Sequence, residues 1–307
     1  MANEMSDAEI LSHFTAYDPP RPGFDPLRAS HHLLRKHGYP HRPDPNKEPR
    51  LHKLWSETLA RPLKIIKAEL QVDRSIVHRL PLRTPQASYG LSGQWAGAEV
   101  NTSSLGYPPT EVANSVYGQW RVPTVTAPNP DTGFAVGVWV GMGGDANNGS
   151  SQVVQAGTDA RSSGNGVIYR AWTQWFPVSG SAATVSNFPV TPGDRVGFLV
   201  LTPQPNHAFI SMLNYNTNVA TSVGITPPGA NNDGSSAEWI IEGNGNLLAD
   251  FYSVLLGQCI AGTKDHDFNL SSALVDSIVS SNGVTDLATA YIITPSALVV
   301  AWDNAGP

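Results

Sequence analysis

Glu238 stands in the run Ser235-Ser-Ala-Glu-Trp-Ile-Ile-Glu242. In a strand, Glu238, Ile240 and Glu242 share one face, while Trp239 and Ile241 share the other. A carboxylate entering an apolar strand beside tryptophan is either a sheet-face solubiliser or a poised acid/base. Gln155, in Val153-Val-Gln-Ala-Gly157, is as ambiguous. It reads as a hydrogen-bonded structural amide or as a polar group of a site. Trp95, Trp120, Trp139, Trp172, Trp175 and Trp239 could all be core, and they are also numerous enough to line a peptide or sugar groove.

Carboxylates, amides and tryptophans stand out because other chemistries are missing. The chain has no Gly-x-Ser-x-Gly elbow and no His-Glu-x-x-His pair. Beyond residue 90 only His207 and His266 could serve a Ser-His-Asp triad, and neither lies in a Gly-rich catalytic context. Cys259 is the single cysteine, which excludes an intrachain disulfide and a Cys-rich zinc site. Its apolar surroundings, Leu255-Leu-Gly-Gln-Cys-Ile260, read as a buried, inert thiol. No Gly-rich phosphate loop follows a strand, so neither metal nor cofactor is expected. A net charge of −6 argues against a nucleic-acid partner. No apolar run reaches the ~18 residues of a membrane span.

The elements that must carry these residues fall into two parts. Residues 1–90 hold 14 Lys and Arg against 10 Asp and Glu, and seven of the nine histidines. Residues 91–307 hold 5 Lys and Arg against 15 Asp and Glu. Two glycines precede residue 86 and 26 follow it. The division is therefore a basic, His-rich N-terminal segment, 1–85, and an acidic, Gly-rich body, 86–307. The segment has no secretory signal at its start.

Within the segment, Asp25 as N-cap and Pro26 at the first helical position predict a helix that stops at Gly38. A second helix is expected over about 47–60, with Leu51, Leu54, Trp55 and Leu59 on one face. Residues 63–82 read as a strand or an extended strap. The segment is either a helical extension packed on the body or a pro-segment held by charge over an acidic cleft. In the body, short apolar runs alternate with turn signals such as Pro192-Gly-Asp194, Asn216-Thr217 and Asn282-Gly283. That pattern predicts an all-β antiparallel sandwich or barrel, with 271–280 the one modest helix candidate.

Seven motifs then stand in order: Gln94-Trp-Ala-Gly-Ala98, Gly118-Gln-Trp-Arg-Val-Pro123, Trp139-Val-Gly141, Val154-Gln-Ala-Gly157, Ala171-Trp-Thr-Gln-Trp-Phe-Pro177, Pro192-Gly-Asp194 and Ala237-Glu-Trp-Ile-Ile-Glu242. Together they resemble the glutamic peptidases, or eqolisins, over about residues 88–260. The resemblance implies a concanavalin-A-like sandwich, an acid endopeptidase acting on protein or peptide substrates, and a basic pro-segment. It implies a catalytic pair, Gln155 and Glu238, with Trp95 and Trp139 beside it. Trp172, Gln174, Trp175, Trp239 and Glu242 are the further candidates for binding substrate. In that reading Glu238 takes a proton from water and passes it to the leaving nitrogen, while Gln155 orients the water and donates to the oxyanion. A monomer is expected. The family implies secretion, although no signal peptide is visible.

Two positions depart from the fungal pattern, which carries acids where this chain has Gly143 and Gln174. Fewer carboxylates near Glu238 predict a lower pKa for it, or a pH optimum unlike that of fungal relatives. The alternative function is a non-catalytic carbohydrate-binding module with tryptophan platforms. A glycosidase ranks last. Glu238 and Glu242 are taken as its only close pair of glutamates, and on one strand they lie ~13 Å apart.

Overall fold

The computed structural model describes residues 5–76, 84–86, 89–92, 94–126, 133–144, 150–163, 166–243, 248–280 and 285–305. Asn282-Gly283 lies outside them. The body is one antiparallel ribbon folded onto itself. Its first layer runs, in spatial order, Ala182–Val185, Gly166–Phe176, Val153–Ser163, Ala135–Gly143, Ser236–Gly243, Trp95–Asn101 and Leu274–Val279. The strands Asp286–Thr294 and Ala297–Trp302 carry the ribbon round the corner. The second layer follows with Ser253–Gly262, Ser115–Arg121, Arg195–Gln204, His207–Asn214 and Val219–Ile225. The result is the expected β-sandwich, nearly closed.

Alternation decides what lies between the layers. Val138, Val140, Ala156, Trp175, Trp239 and Ile241 point inward from the first layer, and Trp120, Phe198, Val200 and Ile210 meet them in one apolar cluster. Two indoles bridge the layers. Trp239 donates to the Tyr117 carbonyl at 2.7 Å, and Trp120 donates to Thr158 Oγ1 at 2.9 Å. Buried indoles supply large apolar area, and an N–H with a partner avoids the cost of an orphaned donor.

The segment before residue 77 forms three short helices. Helix α1 covers Asp7–Ser12, α2 covers His31–Lys36 and α3 covers Pro49–Leu59. Helix α3 buries Leu51, Trp55 and Leu59, as its spacing predicts. Helix α2 is shorter than expected. Asp25 ties down a turn by accepting from the Leu27 amide at 2.9 Å, and Ser30 takes over as N-cap. Gly38, at φ +67, ends it as expected. Helix α1, capped by Ser6, has no counterpart in the sequence reading. The 271–280 stretch is no helix. Leu274, Asp276 and Ile278 alternate, and Leu274–Val279 pairs with Trp95–Asn101. The strap splits in two: Lys64–Ile65 adds to Val219–Ala220, and Leu70–Asp73 adds antiparallel to Ala182–Val185. Its end, 77–82, lies outside the described residues.

Candidate active site

Gln155 and Glu238 sit on neighbouring strands of Ala135–Gly143, and both pair with the same residue, Gly141. Partners directly across an antiparallel ladder point to the same face, so the amide and the carboxylate share a face with one bare position between them. Two strand spacings put their Cα atoms ~9.6 Å apart. A Cβ at Gly141 would come within 2.9 Å of the Trp139 ring and 3.2 Å of Gln155 Cβ. Glycine therefore lets the Trp139 ring and Gln155 pack closely over this position.

Both side chains are fully buried in the intact chain. Ser236 Oγ donates to Glu238 Oε1 at 2.6 Å, fixing one carboxylate oxygen. Among the described residues, neither Oε1 nor Nε2 of Gln155 has a hydrogen-bond partner. An amide left so costs about 1–3 kcal/mol per orphaned group, so it stands ready for a ligand able to donate and accept.

The next row along the same face is apolar. Trp139 pairs with Ile240 on one side and Gly157 on the other, and Gly157 also pairs with Trp172. Trp95 meets Trp139 edge-to-face at 4.8 Å between ring centroids. Trp95, Trp139, Val153, Trp172, Ala182 and Ile240 form one buried cluster, and Ile76 of the N-terminal segment belongs to it. One row further, Glu242 Oε2 accepts from Trp139 Nε1 at 3.0 Å and sets that ring. In the same row Arg170 reaches Asp159 at 3.0 Å and also Asp73. Burial alone would raise Asp73, but hydrogen bonds from Ser75 and the charges of Arg170 and Arg161 outweigh it and hold it low.

The expected residues thus divide. Gln155, Glu238, Trp95, Trp139, Trp172, Gln174 and Glu242 lie on this face. Gln174 pairs with Gln155 and donates to the Gly180 carbonyl at 2.8 Å. Trp175 and Trp239 do not belong with them. They occupy the opposite face of their strands, buried in the apolar cluster inside the sandwich. Glu99 was missed. It pairs directly with Glu238 across Trp95–Asn101 and is fully buried. Glu238 and Glu242 are therefore not the only close glutamates. The alternation of Trp95, Gly97 and Glu99 was legible, but which strand lies beside Glu238 was not. Cys259 is fully buried, and burial pushes its thiol up, as an inert thiol requires.

The N-terminal segment is clamped to the body by charge near α3. Arg50 donates to Asp267 twice, from its amide at 2.6 Å and from Nη1 at 2.9 Å. Lys47 pairs with Asp265. The Lys47 hydrogen bond holds Asp265 low, and a hydrogen bond from His266 holds Glu111 low. Glu48, the residue before α3, is pushed up to about 7 by burial.

The sequence profile of the peptidase A4 family matches residues 93–302. Scytalido-glutamic peptidase, solved with a peptide-based transition-state analogue, shares the fold at 18% identity and TM-score 0.56. SCP-B, an eqolisin solved with the tripeptide Ala-Ile-His, shares it at 17% identity and TM-score 0.54. Each alignment covers 69% of this chain and 98% of the other. No curated protein matches the chain.

Proposed function

The chain belongs to the peptidase A4 family, the glutamic endopeptidases, and from that premise we propose that it cleaves peptide bonds in acid through Gln155 and Glu238. One observation carries the reading: amide and carboxylate flank Gly141 on one face, and the amide has both its polar atoms unused among the described residues. Ionised Glu238 takes a proton from a water held between the two. The water oxygen bonds to the substrate carbonyl carbon, and the carbonyl π pair becomes an oxyanion to which Gln155 Nε2 donates. Protonated Glu238 then returns its proton to the nitrogen, the C–N bond breaks, and a carboxylic acid and an amine leave. A neutral amide keeps its donor at acid pH, where a second carboxylate in that role would change state.

Trp95, Trp139 and Trp172 are the proposed floor for apolar substrate side chains, with Glu242 and Gln174 holding that floor in place. Residues 1–85 are the proposed inhibitory segment and 86–307 the catalytic domain. Burial of the dyad and the seat of Ile76 in the tryptophan cluster support this, because substrate must displace what fills the groove. A sugar-binding module needs no such pairing of one amide with one carboxylate on neighbouring strands.

The test is protein digestion from acid to neutral pH by wild type, Glu238→Gln and Gln155→Ala. Glu238→Gln should lose activity, and Gln155→Ala should fall ~10²–10³-fold, the range for one oxyanion donor. Pepstatin should leave the wild type active. Retained activity in Glu238→Gln removes the dyad.

A further inference from the structure

A row of charge borders the tryptophans. Alternation puts Asp159 and Arg161 on the same face as Gln155, and Arg170 on the same face as Trp172 and Gln174. That face therefore carries the dyad row, then the tryptophan row, then the row in which Arg170 pairs with Asp159. Four residues along the strand separate the first row from the third, ~13 Å. Arg170 Nη2 donates to Asp159 at 3.0 Å, and Arg161 Nε donates to the same oxygen at 3.4 Å. The Arg170 side chain is 23% exposed and that of Asp159 only 5%, so water screens them little. Glu242 shares the row, but three strand spacings, ~14 Å, part it from Arg170, and it turns to the Trp139 indole. The N-terminal segment adds another charge. Asp73 Oδ2 accepts from Arg170 Nη1, and its Oδ1 accepts from the Ser75 amide at 2.9 Å. Three residues on, Ile76 sits in the tryptophan cluster. In chain order the strap thus sets an acid on the arginine and then an apolar side chain among the tryptophans, one row from the dyad.

We infer that Arg170 is a specificity site for an acidic side chain of the substrate, and that Asp73 occupies this site in the intact chain as a stand-in for substrate. This rests on the assignment of Gln155 and Glu238 as the dyad and of the segment as its inhibitor. Once Asp73 leaves, two guanidinium groups share one carboxylate, Asp159. An uncompensated charge in a poorly hydrated site is costly, so the site favours a new anion. Arg170 Nη1 is then free, and its Nε has no hydrogen-bond partner among the described residues even now. The planar guanidinium suits a carboxylate, which accepts two parallel hydrogen bonds from it. The rows also give the position. An extended chain covers ~3.3–3.6 Å per residue, so ~13 Å is about four residues. A substrate laid in the direction of the strap carries its acid on the N-terminal side. The favoured peptide has Asp or Glu about three to five residues before the cleaved bond, with an apolar residue between them for the tryptophans.

The test is peptide hydrolysis by the full-length chain after acid incubation. Peptides identical but for one position carry either cysteic acid or Asn there, and that position is moved through the five residues before the cleaved bond. At about pH 3.5 the sulfonate stays ionised, whereas a free Asp is mostly protonated. At one position three to five residues before the bond, the cysteic acid peptide should be cleaved with kcat/KM ~10-fold or more above the Asn peptide, the range for hydrogen bonds to a charged group. The gain should lie in KM, since the contact is far from the reacting atoms. Arg170→Gln should bring the ratio to within about twofold of one, and Arg170→Lys should restore part of it. The ratio compares two substrates of one preparation, so it does not depend on how much of the segment has left. Equal cleavage of the two peptides by wild type at all five positions overturns the site, whether or not the variants fold. A preference that survives Arg170→Gln overturns the role of Arg170. A wild type that cleaves none of the peptides, or a Glu238→Gln variant that cleaves them as wild type does, overturns the dyad instead and the site with it.

Discussion

Ile76 of the N-terminal segment and Trp139 of the body lie in one buried apolar cluster, a single row from Gln155 and Glu238. Burying such a side chain contributes about 1.5–3 kcal/mol, and 1.4 kcal/mol is a factor of ten in an equilibrium. Ile76→Asp should therefore loosen the segment. The full chain should hydrolyse peptides without a lag, at an initial rate ~10-fold or more above wild type. A progress curve with the wild-type lag would show that Ile76 does not hold the groove shut.

Gly141→Ala puts a methyl against the side chains beside the dyad. Its Cβ would meet the Trp139 ring at 2.9 Å and the Val154 carbonyl at 3.1 Å. Overpacking of this kind costs about 1–3 kcal/mol. Peptidase activity should fall ~100-fold or more, because the methyl must push the Trp139 ring and Gln155 out of place beside Glu238. Thermal unfolding should show a protein that still folds. Activity within twofold of wild type would show that the packing over Gly141 does not set the dyad.

Trp139 and Trp239 should separate cleanly. Trp239→Phe removes an indole that donates to the Tyr117 carbonyl inside the core, so it should cost about 1–3 kcal/mol of stability and leave KM unchanged. Trp139→Phe breaks the contact with Glu242 on the groove face and should raise KM. Steady-state kinetics alongside thermal unfolding would check both.

That contrast marks how far the sequence could be read. Period-two alternation alone puts Glu238 and Trp239 on opposite faces, so assigning Trp239 to substrate went against its own pattern. The β-sandwich was legible because turn residues punctuate short apolar runs. Ladder order was not. Glu99 lies 139 positions from its partner Glu238, and no local spacing encodes that they meet. The helix expected from Asp25 failed on local competition, since Ser30 offers a cap where the apolar face begins.

Acid should free the segment late. The ion pairs that join the segment to the body are Lys47 with Asp265, Arg50 with Asp267 and Asp73 with Arg170, and each rests on a carboxylate rather than a histidine. Asp265 and Asp73 are held low, so their contribution to docking is present above the ordinary carboxylate range and is lost only as pH falls through their depressed values. Glu48 works the other way. Raised to about 7, it favours docking below its ordinary value and weakens docking as pH rises through 7. Docking should hold from about pH 7 down to about pH 4 and fail below that. Fluorescence transfer between a label before α3 and one on the body would follow it, and release centred near pH 6.5 would refute the carboxylate clamp.

The strap closes two sheet margins at once. Lys64–Ile65 and Phe14–Ala16 line Val219–Ile225, and Leu70–Asp73 lines Ala182–Val185. Once the segment is cut away, both strands present bare amides and carbonyls at the rim of the sandwich, the kind of template on which chains stack into aggregates. On the proposal that the segment is inhibitory, the residues that would silence the enzyme also keep it dispersed, and each freed molecule would trade colloidal safety for activity.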